Sequence, residues 1–447
     1  MSRALQVLAL SGCWGLFSVL LPGCGSESDP GGGAGSSSGA ASGAGNPGTA
    51  GNMANGGGAS GSGAQAGGAG AAGNGSSGSS SGSSSGGNVS SGGNGSAGSG
   101  VDCATVTDEC PMATGLELAC KQRFALGINY AWRSFGADFG GLSAWSLPGV
   151  TAGSAGYAAD LSAMKAAGAS LIRWWVFPDF RGDGVTFDAS DDPTGLSATA
   201  LADVAKALEL AQQADVYLVP TIFSFDAFRP KTTTEGVTVR SITGLVTTPA
   251  RRAKLMANVV RPLAHAAATS PHAARLAGWD IVNEPEWAIE PSGLNSQDFT
   301  PNEELDTVAL ADMKALIAEA ATVLKEETPG AFRSVGWAAA KWAWAFDDLE
   351  LDVNQPHIYG WVNQYWPYTM TPAELGYPGD RPTIMGEFLL QAMPFGDGNS
   401  NDSLGTILES WWSNGYAGAW PWQHFDQAAN LPLLKAFADA KGCEAKF

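Results

Sequence analysis

Basic residues are scarce in this chain of 447 residues: 24 Lys and Arg stand against 43 Asp and Glu, a formal charge of −19. With no basic field to meet phosphates, the composition argues against nucleic acid as a partner and fits a neutral one better. Histidine occurs only four times, and none lies near Cys103, Cys110 or Cys120, so the cysteine spacing does not read as a zinc site. From Gly25 to about Gly100 the sequence is almost entirely Gly, Ser, Ala and Asn, with no aromatic residue and hardly any charge. Such a stretch buries too little apolar surface to offset the entropy of ordering it, which excludes a folded domain there.

What precedes that stretch is a leader. "MSRALQVLALSGCWGLFSVLLPGC" carries Arg3, an apolar run and a small residue before a cysteine, the pattern of a secretory signal over residues 1–23 rather than a spanning helix. Its end, Leu21-Pro22-Gly23-Cys24, resembles a bacterial lipobox in which Cys24 becomes the lipidated N-terminus, although Pro22 departs from the usual small or aliphatic residue. Ordinary cleavage and free secretion is the alternative. Residues 24–100 then read as a disordered linker with a root-mean-square span of roughly 50 Å. Residues 101–447, which hold every tryptophan except Trp14, read as one large catalytic domain. The expected product is exported and anchored to a membrane through Cys24, facing the cell exterior or periplasm, and otherwise secreted; a monomer is expected.

Export permits disulfides. Setting aside Cys13 and Cys24 leaves Cys103, Cys110, Cys120 and Cys443, with three possible connectivities. The favoured one joins Cys103 to Cys110 and Cys120 to Cys443, because the second bond would tie the start of the domain to its end.

In residues 101–447, short apolar runs alternate with helical periodicity. The runs are "FALGINYAW" (Phe124 to Trp132), "ASLIRWWVF" (Ala169 to Phe177), "VYLVPTIFSF" (Val216 to Phe225), "LAGWDIVNEP" (Leu276 to Pro285), "SVGWAAA" (Ser334 to Ala340), "DVNQPHIY" (Asp352 to Tyr359), "PTIMGEF" (Pro382 to Phe388) and "YAGAWPW" (Tyr416 to Trp422). Between them lie stripes such as Tyr157, Leu161 and Met164; Leu201, Val204, Leu208 and Ala211; Leu310, Met313, Ile317 and Leu324; and Leu404, Ile407, Leu408 and Trp411. Continuous rather than alternating apolar runs mark strands buried on both faces, as in a parallel sheet. Eight such units predict an α/β fold of the (β/α)₈ barrel type. An open doubly wound sheet is the rival, but no Gly-rich phosphate loop follows the first run.

In such barrels the chemistry sits at the C-terminal ends of the strands. The residues that close the runs are Asn129 to Trp132, Arg173, Phe225 and Asp226, Asn283 and Glu284, Trp337, His357 and Tyr359, Glu387, and Trp420 to Trp422. Glu284 ends the fourth run and Glu387 the seventh, so a barrel would set two carboxyls across one mouth. Glycosidic cleavage needs that pair, one protonated and one ionised.

"NEP" on the fourth run, "HIY" on the sixth, "GEF" on the seventh and an aromatic ending the eighth resemble glycoside hydrolase clan A, most closely family 5, over about Phe124 to Phe425. The resemblance implies Glu284 as acid/base and Glu387 as nucleophile of a retaining double displacement. It further implies that Asn283 binds the sugar 2-hydroxyl, that Tyr359 and Arg173 orient the nucleophile, that His357 is a substrate-side imidazole and that Trp422 is the platform under the cleaved sugar. Asn129, Trp132, Trp337 and Trp420 join the list as strand-end candidates, and no metal or cofactor is implied.

Other residues have plainer readings. Glu286, one step into the loop, is expected to be a bystander. Trp174, Trp175, Trp411 and Trp412 are expected to pack rather than bind, and His265, His272 and His424 to be structural or surface residues. Of Trp132, Trp287, Trp337, Trp342, Trp344, Trp361 and Trp366, near the mouth, about half are expected to stack on sugar rings. The expected function is endo-hydrolysis of a β-1,4-linked mannan or glucan; an exo-acting β-glycosidase or transglycosylase, and a non-catalytic glycan-binding surface protein, are the alternatives.

Overall fold

The computed structural model describes residues 103, 106–363, 365–389, 402–424 and 431–447. The leader, Cys24 and the linker lie outside the described residues. Eight parallel strands, numbered here in chain order, form one sheet: β1 (Ala125–Asn129), β2 (Leu171–Trp175), β3 (Tyr217–Ser224), β4 (Gly278–Asn283), β5 (Phe332–Trp337), β6 (Gln355–Pro356), β7 (Ile384–Met385) and β8 (Gly418–Ala419). Each pairs with its neighbour in sequence from β1 to β6, β8 pairs with both β1 and β7, and the Asn354–Thr383 and His357–Glu387 bridges join β6 to β7. Backbone bonds from Ile384 to Asn354 at 2.8 Å and from Gly386 to Pro356 at 2.7 Å complete the ring. The fold is therefore the expected (β/α)₈ barrel.

All eight runs became strands, but the last three are shorter than the apolar runs suggested. Around β6 to β8 the ladder breaks into single bridges such as Leu389–Trp422. These irregular ends carry His357, Tyr359, Glu387 and Trp422, so the sheet loses regularity where the side chains must turn toward one another.

Between the strands run α1 (Ser154–Ala166), α2 (Ala198–Ala214), α3 (Arg261–Ala268), α4 (Leu310–Glu327), α5 (Leu404–Ser413) and α6 (Leu431–Lys441). The predicted stripes face inward: Tyr157, Leu161 and Met164 on α1, and Leu310, Met313, Ile317 and Leu324 on α4, are all buried. Ser197 caps α2 by accepting from the Ala200 N–H at 3.1 Å. Pro262 lacks the N–H that would continue the helix ladder, and the segment Met256–Val260 ahead of α3 widens into a π-turn.

The barrel interior is layered. Ala125, Leu171, Val219, Phe332, Val353, Ile384 and Trp420 meet in one buried cluster at its lower end. Trp420 fits because position 127 is glycine; a Cβ there would lie 2.5 Å from the indole. A hairpin, Leu116–Leu118 with Lys121–Arg123, lies under this end, and Phe447 packs against the same cluster.

The disulfides differ from the expected pairing. Cys103 bonds to Cys120 and Cys110 to Cys443. The reason lies in Arg123, which is nearly buried and donates to Asp108 Oδ2 at 2.6 Å and to the Cys110 carbonyl at 2.7 Å. That contact pins Cys110 beside the C-terminal turn Gly442–Ala445, whose Glu444 carbonyl accepts from the Phe124 N–H at 2.8 Å. Cys120, at the hairpin tip with φ 63°, meets Cys103 instead. The idea that one bond ties the domain's start to its end survives with a different cysteine. Non-reducing peptide mapping should recover Cys110 linked to Cys443, and Cys443→Ser should cost ~2–4 kcal/mol of stability, read as a lower melting temperature. Recovery of Cys120 linked to Cys443 would reinstate the original pairing.

Candidate active site

At the upper end of the barrel the interior turns polar, and Arg173 organises it. Projecting from β2 and wholly inaccessible, Arg173 donates from Nη1 to Glu387 Oε1 at 2.6 Å and to Asn129 Oδ1 at 2.8 Å. From Nε and Nη2 it grips Asp280 Oδ2 at 2.8 and 2.6 Å, and Nη2 also reaches Asn283 Oδ1 at 2.7 Å. Burial alone would weaken its hold on the proton, but Asp280 and then Glu387 outweigh that, so its pKa is raised and it stays charged. Asn129 spends its amide N–H groups on the Gly386 and Trp420 carbonyls at 2.8 and 2.9 Å, bracing β7 and β8 against β1.

Glu284 ends β4 in a left-handed conformation, φ 48° and ψ 51°, directly before Pro285. A β-branch-free but non-glycine residue pays of order 1–3 kcal/mol for such a backbone, and a residue before proline ordinarily stays extended. The register of β4 against β5 shifts between Asp280 and Asn283, and the Glu284 N–H donates to the Gly336 carbonyl at 2.7 Å. Together these turn Glu284 into the mouth. There its Oε2 accepts from Trp287 Nε1 at 2.8 Å and its Oε1 lies 2.7 Å from His357 Nδ1. A protonated Glu284 donates to that nitrogen; an ionised one accepts from it. Burial is the main cause that lifts the Glu284 pKa to about 7, with the Trp287 donor and Arg173 opposing. Burial likewise drops His357 to about 4, so its imidazole is neutral at neutral pH.

Glu387 follows β7 and is held on both oxygens, by Arg173 and by the Tyr359 hydroxyl at 2.7 Å. Burial raises its pKa, while Arg173 and the Tyr359 donor pull it back, joined by His357 only at low pH where that imidazole is charged. Among the described residues, Glu284 makes no hydrogen bond to a guanidinium. Of two carboxyls competing for one proton, the one in contact with Arg173 is the better anion. Burial, followed by the Glu387 charge, keeps the Tyr359 hydroxyl protonated. One ligand atom each from Glu284, His357 and Glu387 lie within 4.8 Å of one another. That donor set could face a cation, but the adjacent guanidinium charge disfavours one.

Over this cluster stand Trp132, Trp175 and Trp422, their rings 5.2 to 5.7 Å apart. The structure thus brings together Glu284, Glu387, Asn283, Arg173, His357 and Tyr359, with Asn129 behind Arg173, and sets Trp132 and Trp422 beside them. It does not bring Trp337 or Trp420 there. Trp337 is 1% exposed and packs against Phe346 and Tyr377, because Gly336 is the residue of that pair facing His357 and Arg173. Trp420 donates to the Ala125 carbonyl at 3.0 Å within the lower cluster. Trp342 is buried against Trp287, whereas Trp132, Trp287, Trp344 and Trp366 are partly exposed; the Trp361 side chain lies outside the described residues. A cavity of about 880 Å³ lies at the opposite end of the barrel near the hairpin and contains neither carboxyl in its lining.

Two residues of the site were missed in the sequence. Asp280 had a signal, an acid inside the otherwise dry run "GWDIVN". Gln355 had none beyond position; its Nε2 reaches Asp280 Oδ2 at 3.4 Å. Trp287 was among the tryptophans expected near the mouth, but its bond to Glu284 was not foreseen.

No family model matches the chain. The mannan endo-1,4-β-mannosidase of Mytilus edulis is 25% identical over 341 residues, 69% of this chain and 86% of that protein. The enzyme of the same name from Cryptopygus antarcticus is 23% identical over 332 residues, 67% of this chain and 80% of its own length. The crystal structure of the Mytilus edulis β-mannanase superposes with a TM-score of 0.61 at 21% identity, covering 76% of this chain and 98% of that one. The fold is that of TIM-barrel glycoside hydrolases.

An unfolded chain releases the Glu284 proton near 4.5 and the folded one near 7, so protonation of this group favours the fold and that contribution is lost as pH rises between those values. Replacing Trp287 by Phe removes the donor that opposes burial. A carboxyl titration of Trp287→Phe followed by NMR should show Glu284 moving further up; a downward move would mean that the indole does not act on Glu284.

Proposed function

We propose that this chain is a retaining endo-β-1,4-mannanase. The observation that carries the reading is the pair of buried carboxyls at one mouth: Glu387 gripped by Arg173 and Tyr359, Glu284 held by Trp287 and His357, with one oxygen of each no more than 4.8 Å apart. Retaining enzymes keep their carboxyls about 5 Å apart, because no water has to fit between nucleophile and sugar. The choice of mannan rests on the activity named for the Mytilus edulis and Cryptopygus antarcticus relatives.

In the first step, Glu387 attacks the anomeric carbon while Glu284 gives its proton to the departing glycosidic oxygen. The C–O bond breaks and a glycosyl ester of Glu387 forms. Esterification removes the Glu387 charge, which lowers the pKa of Glu284 and readies it as a base. Arg173 is not left unpaired at that stage, since Asp280 stays bound to it. In the second step Glu284 takes a proton from water, the oxygen attacks the same carbon from the opposite face, and Glu387 leaves as carboxylate. The Asn283 carboxamide oxygen is committed to Arg173, which leaves its NH₂ to meet the sugar 2-hydroxyl. Trp422, beside Trp132 and Trp175, offers an indole face for the ring being cleaved.

The leader remains a proposal on its pattern alone. Export with lipidation at Cys24 would place this domain, residues 101–447, on a flexible tether; both named relatives come from animals and lend the bacterial lipobox reading no support.

Glu284→Ala should lose most activity on mannan, whose leaving group needs a proton, and far less on a dinitrophenyl β-mannoside, whose leaving group does not, with azide restoring turnover and giving a retained β-glycosyl azide. Glu387→Ala should lose both by about 10³-fold or more, for no ester can form. On wild type, kcat/KM for mannan should fall as pH rises through about 7, where the acid ionises. An inverted product by NMR would remove the covalent mechanism, and cleavage of cellulose in preference to mannan would move the substrate.

A further inference from the structure

Glu286 is a buried ionisable side chain close to the candidate site for which the proposed chemistry has no use. It is 0% exposed, although it stands only two residues past the acid/base and reads in sequence as a loop acid. Its Oε2 accepts from the Ala338 N–H at 3.2 Å, the first backbone donor beyond β5. Its Oε1 has no partner among the described residues, and the same holds for two buried atoms of its surroundings, Trp337 Nε1 and the Tyr377 hydroxyl. The Trp337 and Tyr377 rings meet edge-on at 5.6 Å, and both belong to the core between barrel wall and outer segments. Burial pushes the Glu286 carboxyl well above the usual range, so it is neutral in place. Ionised, it would face those surroundings without a cation.

The position of this brace gives it a use. The turn Pro285–Ala288 carries Glu284 at one edge and Trp287 inside it. On one side of the turn, the Glu284 N–H bonds the Gly336 carbonyl; on the other, the Glu286 carboxyl takes the Ala338 N–H. The strained left-handed backbone of Glu284 is thus clamped to β5 at two points two residues apart. Directly after the second point, Trp287 is aimed so that its indole N–H reaches Glu284 Oε2 at 2.8 Å.

We infer that Glu286 is a positioning residue for the acid/base: its carboxyl pins the Pro285–Ala288 turn to the end of β5, and the pinned turn holds Trp287 and the Glu284 carboxyl where the leaving-group oxygen must receive its proton. The inference rests on the reading of Glu284 as acid/base. It assigns Glu286 no contact with substrate and no proton of its own to transfer.

The test uses the full chain, soluble β-1,4-mannan and a dinitrophenyl β-mannobioside, with kcat/KM as readout because it reports formation of the glycosyl-enzyme. Glu286→Ala should lower kcat/KM on mannan by about 10- to 100-fold, the scale set by misplacing a catalytic group by an ångström, and that on the activated glycoside by less than about 3-fold. Glu286→Gln, which keeps a carbonyl for Ala338 and needs no charge, should stay within about 3-fold of wild type on both. Should Glu286→Ala not fold, Glu286→Met fills the volume without accepting a hydrogen bond and carries the same expectation. A residue that merely supports the fold would cost both substrates alike, and that result overturns the inference, as does Glu286→Gln being as impaired as Glu286→Ala. Glu284→Ala is run alongside. If it shows no difference between the substrates, the acid/base reading itself has failed; if it does and Glu286→Ala does not, only the positioning role has.

Discussion

The upper half of this barrel depends on one buried cation. Arg173 makes five hydrogen bonds to four residues, Asn129, Asp280, Asn283 and Glu387, contributed by the ends of β1, β4 and β7. Taking a guanidinium and two carboxylates out of water costs several kcal/mol per ion, which is recovered only where geometry and hydrogen bonding are good. Here nearly every bond also fixes a group of the candidate site. Asp280 supplies the permanent countercharge, assisted by Thr221 at 3.1 Å, so Glu387 is free to change its charge without stranding Arg173. The Arg173–Asp280 pair supports the proposed reaction by staying constant while its neighbour varies.

A second constraint is the shape of the chain at the end of β4. A regular strand would send the side chain after Asn283 out of the mouth, since successive residues alternate faces. The shifted register and the left-handed Glu284 break that alternation and deliver Asn283 and Glu284 to the same side. The cost is local backbone strain, and the packing around the following turn holds it. Gly336 opposite is part of the same solution, because a Cβ there would stand 2.9 Å from His357 Nε2 and 3.1 Å from Arg173 Nη2.

Much of this was legible in sequence. Dry runs of β-branched and aromatic residues separated by helical stripes identified all eight strands, and their last residues identified Glu284, Glu387, Arg173, His357 and Tyr359. Alternation within a strand was harder to read: Trp337 and Trp420 both close apolar runs, yet one packs outside the wall and the other fills the lower interior, which neighbouring Gly336 and Gly127 would have suggested. The disulfide pairing was not legible, since it hangs on Arg123 pinning Cys110 beside a turn more than 300 residues away. The burial of Glu286 was not legible, because a carboxyl one step into a loop gives no sign that the neighbouring strand lies over it.

The lower end of the barrel is stoppered by the Leu116–Arg123 hairpin and by Phe447, whose ring lies 6.1 Å from that of Tyr217 at the base of β3. Cys103 is fastened to that hairpin through Cys120, and Cys443 to Cys110 close by. Cys103 and the segment from Cys443 to Phe447 therefore lie on the rim away from the carboxyls. A bead, a surface or a partner module joined to either side of residues 103–447 would grip the molecule by its base, leaving the end of the barrel that carries Glu284 and Glu387 free.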